Sequence, residues 1–140
     1  MKRYAFRLEA VLRARRAAES VAQANLLRAN ASVLAAEAAA DRSSAHYREV
    51  QTLPGLGFMV HRERATLAAR ALIGARESLS EARATREAAM LSYLGSARAV
   101  SVLERLDRRR REEHAMAARR EDILVVDEIV TNRHRGKGRS

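Results

Sequence analysis

Cysteine and tryptophan are absent from this sequence, and proline occurs once. Without cysteine there is neither a disulfide framework nor a thiolate zinc site. Aromatic residues make up 4% of the chain, too few for a globular core of ordinary thickness, which draws on large side chains. No apolar run approaches the ~18 residues that a membrane-crossing helix needs. Arg7, Glu9 and Arg13 interrupt the apolar stretch behind Met1-Lys2-Arg3, which is not the form of a secretory signal. The expectation is a soluble protein, and the missing cysteine fits the cytoplasm.

What is present is helix-forming. Of 140 residues, 47% are hydrophobic, much of that alanine, and 31% are charged, with six glycines. Alanine, arginine, glutamate and leucine with so few breakers compose long helices and coiled coils, and the length suits one elongated unit. The net charge of +10 is carried almost wholly by arginine. It favours acidic partners: nucleic acid, an anionic membrane or an acidic protein face.

The one cluster of breakers is Pro54 with Gly55 and Gly57, in "TLPGLGF". It divides a helix over 6–52 from a helix over 58–133, with a turn at 53–57. The basic, glycine-containing residues 134–140 are expected to be disordered. Apolar positions step by four and three along both helices. Leu8, Leu12, Leu26, Val33 and Val50 mark the seam of the first, and Leu72, Leu79, Tyr93, Val100 and Leu103 that of the second. Such seams let one helix lie along another. Arg15, Glu19, His61 and Arg86 interrupt them. The expected fold is all-α: an antiparallel two-helix coiled-coil hairpin with a longer second helix, one unit over 1–133.

Counting outward from the glycines puts Val50 near residue 60 and Leu8 near Leu103. The shared hairpin is then roughly 70 Å long at ~1.5 Å per residue. Residues 104–133 are left without a partner. Continuing the seam past Leu103 gives Asp107, Arg110 and His114, so its apolar character stops where the first helix is used up. Residues 104–122 are polar on nearly every face, as a solvated single helix must be. Glu112, Glu113, Glu121 and Asp122 relieve part of the repulsion along Arg108–Arg111. Beyond them Ile123, Leu124, Val125, Val126, Ile129 and Val130 cover much of the helix circumference, an apolar patch that calls for a partner.

Catalytic patterns are not found. His46, His61, His114 and His134 are scattered, and no close ligand set forms among them. Glu112, Glu113 and His114 are adjacent and so point in different directions around a helix. Gly136-Lys137 has no strand before it, no serine has the surroundings of a nucleophile, and a two-helix rod offers no concave substrate pocket. No enzyme, metal, cofactor or small-molecule substrate is expected. Arginines wrapping around the helix, with no aromatic residue after Tyr93, argue against a specific nucleic-acid reader. Nonspecific phosphate contact stays open. The Ile123–Val130 block follows the arginine run rather than facing it, which argues against a membrane-surface helix there. A basic nucleic-acid-binding coiled coil and a structural coiled coil that self-associates through its apolar end are the alternatives.

Two short stretches resemble the FliJ family, the small coiled-coil component of the flagellar type III export apparatus. "YAFRLEAVLRARR" resembles the family's opening, with Phe6, Leu8, Val11 and Leu12 in its Phe-x-Leu-x-x-Val-Leu pattern. "LERLDRRRREEHAMAARREDILVVDEIV" resembles its charged stretch followed by an acidic pair, here Asp127 and Glu128. The resemblance implies an antiparallel coiled coil like the stalk of rotary ATPases. It would bind the hexameric export ATPase, contact the cytoplasmic domain of the export gate and recycle export chaperones in the service of motility. It would work in the cytoplasm, at the inner face of the inner membrane. Carried over, the ATPase-ring contact comprises Arg105, Arg108, Arg109, Arg110, Arg111, Asp127 and Glu128. The apolar tip is Ile123, Leu124, Val126 and Val130, and the gate contact falls around Leu67, Ala71 and Leu72.

Overall fold

The computed structural model describes residues 3–53, 55 and 57–137, with side chains as far as Arg135. Two helices account for nearly all of it: α1 (Glu9–Thr52) and α2 (Phe58–Lys137). They pack against each other as an all-α hairpin, and no strand occurs among the described residues.

The boundaries follow from local chemistry. α1 starts one turn later than the expected residue 6. Phe6 to Leu8 form a turn in which the Glu9 N–H donates to the Phe6 carbonyl at 3.1 Å, and the Leu8 carbonyl accepts from Leu12 N–H at 2.8 Å. Glu9 places a carboxylate in the first turn, where the helix dipole favours it. α1 stops at Thr52, two residues before Pro54, which cannot continue a helix. The Thr52 hydroxyl donates to the Glu49 carbonyl at 3.0 Å and so satisfies an acceptor that a helix end leaves orphaned. Gly55 turns the chain with φ of 87°, a conformation that side chains oppose. Gly57 then opens α2, its carbonyl accepting from His61 N–H at 3.0 Å.

α2 runs to Lys137 rather than ending at 133. Arg133, His134 and Arg135 are compatible with the negative end of a helix, and one glycine costs only about 1 kcal/mol. The expectation of a disordered tail is therefore corrected for 134–137, while residues 138–140 lie outside the described residues.

The chain forms two compact units, residues 17–97 and residues 1–16 with 98–140. In the first, Ala22, Ala29, Val33, Ala40 and Val50 of α1 and Ala68 and Leu72 of α2 are buried. Leu26, Tyr47, Leu79 and Tyr93 are half-buried beside them, on the seam positions read from the four-three spacing. Glu37 meets Arg83 at 3.2 Å across the pair. The register differs from the expected one. Val50 and Leu53 share a groove with Arg64, Leu67, Ala68 and Ala71, so Val50 faces the stretch from Arg64 to Ala71 and not residue 60. Counting from the glycines treats both helices as leaving the turn at one level. The buried seam positions set the level instead, and Phe58, Met59 and Val60 are left exposed.

In the second unit Leu12, Val100 and Ala118 are buried, Leu103 and Leu106 are half-buried, and Arg16 meets Glu104 at 3.0 Å. Here the expected end of pairing is also corrected. Of the seam positions past Leu103, Asp107 and His114 are half-buried and Arg110 is exposed, and Ala118 beyond them is buried. Asp107 and His114 are covered by Tyr4, from the segment before α1. A non-helical chain advances up to ~3.3 Å per residue against ~1.5 Å in a helix, so a few residues reach far along α2. Leu8, expected on the seam, belongs to this turn and is exposed. Residues 119–135 of α2 are exposed throughout.

Candidate functional site

The N-terminal segment is fastened to α2 by Tyr4. Its hydroxyl donates to Asp107 Oδ1 at 2.7 Å and lies 3.3 Å from the Asp107 carbonyl oxygen. Arg111 Nε donates to both carboxylate oxygens, at 3.3 Å to Oδ1 and 3.1 Å to Oδ2. The Arg111 guanidinium stands 5.5 Å from the centre of the Tyr4 ring, within cation–π range. His114 meets the same ring edge-on at 5.6 Å. Hydrogen bonds from Tyr4, and then from Arg111, hold the Asp107 carboxyl below its ordinary range. The Tyr4 hydroxyl is pushed above its ordinary value by desolvation and then by its bond to Asp107.

This node divides the candidate arginines. Arg111 serves Asp107. Arg109 and Arg110 both reach Glu113, at 3.2 and 3.4 Å, so Glu113 and Asp107 supply the relief of the run. Arg105 and Arg108 form no ion pair or hydrogen bond among the described residues and present free cations to solvent. Asp127 and Glu128 are exposed, and neither takes part in an ion pair among the described residues. Thr131 Oγ1 donates to the Asp127 carbonyl at 2.7 Å, a bond that keeps to the helix itself.

Beyond the arginines lies the apolar block, with Asp127 and Glu128 inside it. Ile123, Leu124, Val125, Val126, Ile129 and Val130 are each 50% to 68% exposed, on all sides of one helix. The residues assigned to gate contact are separated by the packing. Leu67 and Ala71 are exposed along the groove beside Val50. Leu72 is 8% exposed, so it packs the seam and offers no surface to a partner.

A cleft of about 440 Å³ lies beside the node, and Arg3, Arg13, Arg16 and Arg111 line it with Tyr4, Phe6, Glu9 and Asp107. A second, of about 780 Å³, runs along the other flank of the N-terminal segment, past Phe6, Leu8, Leu106 and His114. No group of His, Asp or Glu among the described residues is arranged to hold a metal ion, and no described helix is long and apolar enough to cross a membrane. Tyr4 is the fastening residue that seam counting does not find. Its only signal is a tyrosine, one of three in the chain, placed with Phe6 just ahead of a helix. No protein-family model, curated protein or solved structure matches this chain.

Proposed function

We propose that this chain is a FliJ-like, stalk-type component of the flagellar type III export apparatus. It binds the hexameric export ATPase, touches the cytoplasmic domain of the export gate and escorts export chaperones. It acts in the cytoplasm, against the inner membrane at the flagellar base. One observation carries the reading: residues 119–135 of α2 are exposed throughout and hold six large apolar side chains. Apolar surface of that extent on a solvated helix answers to a partner. Arg105 and Arg108 behind it, and Asp127 and Glu128 within it, add charge for recognition at the rim. Leu67 and Ala71 are the available gate contact.

Pull-down with the export ATPase, joined to an ATPase assay, tests the reading. The full chain should be retained and should stimulate hydrolysis. A chain truncated after Ala118, which keeps the Tyr4 node, should do neither. Retention and stimulation by the truncated chain would overturn the assignment. The free cations at Arg105 and Arg108 also support a rival reading as a nonspecific nucleic-acid binder. Tight DNA binding at physiological salt, with a salt slope equal to several phosphate contacts, would favour that rival. The same apolar block equally supports self-association, which light scattering across protein concentration would detect.

A further inference from the structure

The chain holds two phenylalanines, and Phe58 is 77% exposed, with Met59 beside it at 72%. Val60 and Leu53 flank them, also exposed. Together they cap the turn between α1 and α2. Consecutive residues of a helix stand about 100° apart, so Phe58, Met59 and Val60 span about 200° of the opening turn of α2, and the half-buried His61 takes the remaining side. A protein groove takes one face of a helix. The boundary of a bilayer, into which the end of a hairpin dips, takes the wider span.

The charge around this cap has one dominant sign. Between residues 42 and 76 stand Arg42, Arg48, Arg62, Arg64, Arg70 and Arg76, against Glu49 and Glu63 alone. All six arginines are exposed, and none is in an ion pair among the described residues. Their long stems let the guanidinium groups reach phosphates while the apolar cap lies deeper. The other apolar block of α2 has mixed surroundings. Glu121 and Asp122 precede it and Asp127 and Glu128 lie within it, while Arg119 and Arg120 stand before it and Arg133 and Arg135 after it, so the carboxylates inside the block weaken its attraction to an anionic surface.

We propose that the α1–α2 turn is a membrane-docking tip. Leu53, Phe58, Met59 and Val60 enter the headgroup boundary of an anionic bilayer, and Arg62 and Arg64 pair with lipid phosphates. Insertion is shallow, as for interfacial anchors, since no described helix is able to span. The inference rests on residues remote in sequence from the proposed ATPase contact and stands independently of it.

Flotation of the full-length protein with vesicles tests it, using phosphatidylcholine alone and phosphatidylcholine mixed with phosphatidylglycerol. Binding is expected on the anionic vesicles only, and should fall as salt is raised. The Phe58→Ser/Met59→Ser double variant should bind about tenfold more weakly while keeping its helical circular dichroism. The Ile123→Asp/Val126→Asp variant should float like the parent chain. Because the sequence has no tryptophan, a Phe58→Trp variant reports directly, and its emission should shift to the blue on anionic vesicles. Absence of flotation, with an unshifted emission from the Phe58→Trp variant, would overturn the proposal, and so would equal binding to neutral vesicles. Undiminished flotation of the double serine variant, or its loss in the Ile123→Asp/Val126→Asp variant, would overturn it as well. A protein socket as the true occupant would give the first of these results.

Discussion

The Tyr4 hydroxyl donates to Asp107 Oδ1 at 2.7 Å, linking a residue ahead of the first helix to one deep in the second. Arg111 holds the same carboxylate from the other side and lies over the Tyr4 ring. The three side chains therefore act as one fastening. Tyr4→Phe keeps the ring against Arg111 and His114 and deletes the bond to Asp107. Amide exchange in residues 3–8 should accelerate, with far-UV circular dichroism unchanged.

The same carboxylate sets a pH dependence. Its folded pKa lies below the ordinary 3.8, through Tyr4 first and Arg111 second. A depressed carboxyl contributes stability that is fully present above the unfolded value and lost as pH falls through the folded one. The N-terminal segment should therefore stay docked from neutral pH down to about pH 4 and release in stronger acid. Carbon-detected titration of Asp107 should show its pKa rising toward the ordinary value in Tyr4→Phe. An unchanged titration would mean the hydroxyl bond is not formed.

Leu72 and Leu67 make a matched pair. Leu72 is buried and Leu67 is exposed, five positions apart on one helix. Leu72→Ala should cost about 2–3 kcal/mol in urea unfolding, the lower range for a leucine truncated in a core. Leu67→Ala should fall within about 0.5 kcal/mol of the parent. Equal costs would show that the groove beside Val50 packs more tightly than the described surface.

Gly74 and Gly95 sit inside α2, and a Cβ built on either meets nothing within 4 Å. Neither position has a steric need for glycine. Replacement of each by alanine should stabilise by about 0.5–1 kcal/mol, read as a higher melting temperature. A loss of partner binding without a loss of stability would mark the glycine as a site of close approach.

The apolar block should be neutral for folding. Ile123→Asp and Val126→Asp remove no packing, since both side chains are more than half exposed, and stability should move by no more than about 0.5 kcal/mol. Any concentration-dependent light scattering by the parent chain should disappear in these variants.

The seam was legible because its signal is repeated. Leu12, Ala22, Ala29, Val33 and Val50, with Leu72 and Val100, are buried at the positions that the four-three spacing marks. Exposure of Ile123–Val130 was legible for the same reason, since no seam position remained to cover it. Register was not legible. Val50 faces the stretch from Arg64 to Ala71 because packing, and not symmetry about the glycines, decides which turns face each other. The Tyr4 node escaped because residues 3–8 leave the helical period altogether, and periodicity speaks only of residues that keep it. Leu72 was assigned two roles from sequence, and burial leaves it one. Of the candidate arginines, sequence could not say which were already committed. Only the positions of Asp107 and Glu113 in space separate Arg111, Arg109 and Arg110 from Arg105 and Arg108.

Among the described residues, half of the ten buried side chains are alanine. One methyl group looks much like the next, so a seam built this way discriminates weakly between neighbouring alignments one heptad apart. The choice of alignment then falls on a few distinctive contacts: Arg16 with Glu104, Glu37 with Arg83, and Tyr4 with Asp107. Each is exposed or half-exposed and so open to competition from salt or from another charged molecule. Whatever engages those side chains gains leverage over how the two helices slide against each other.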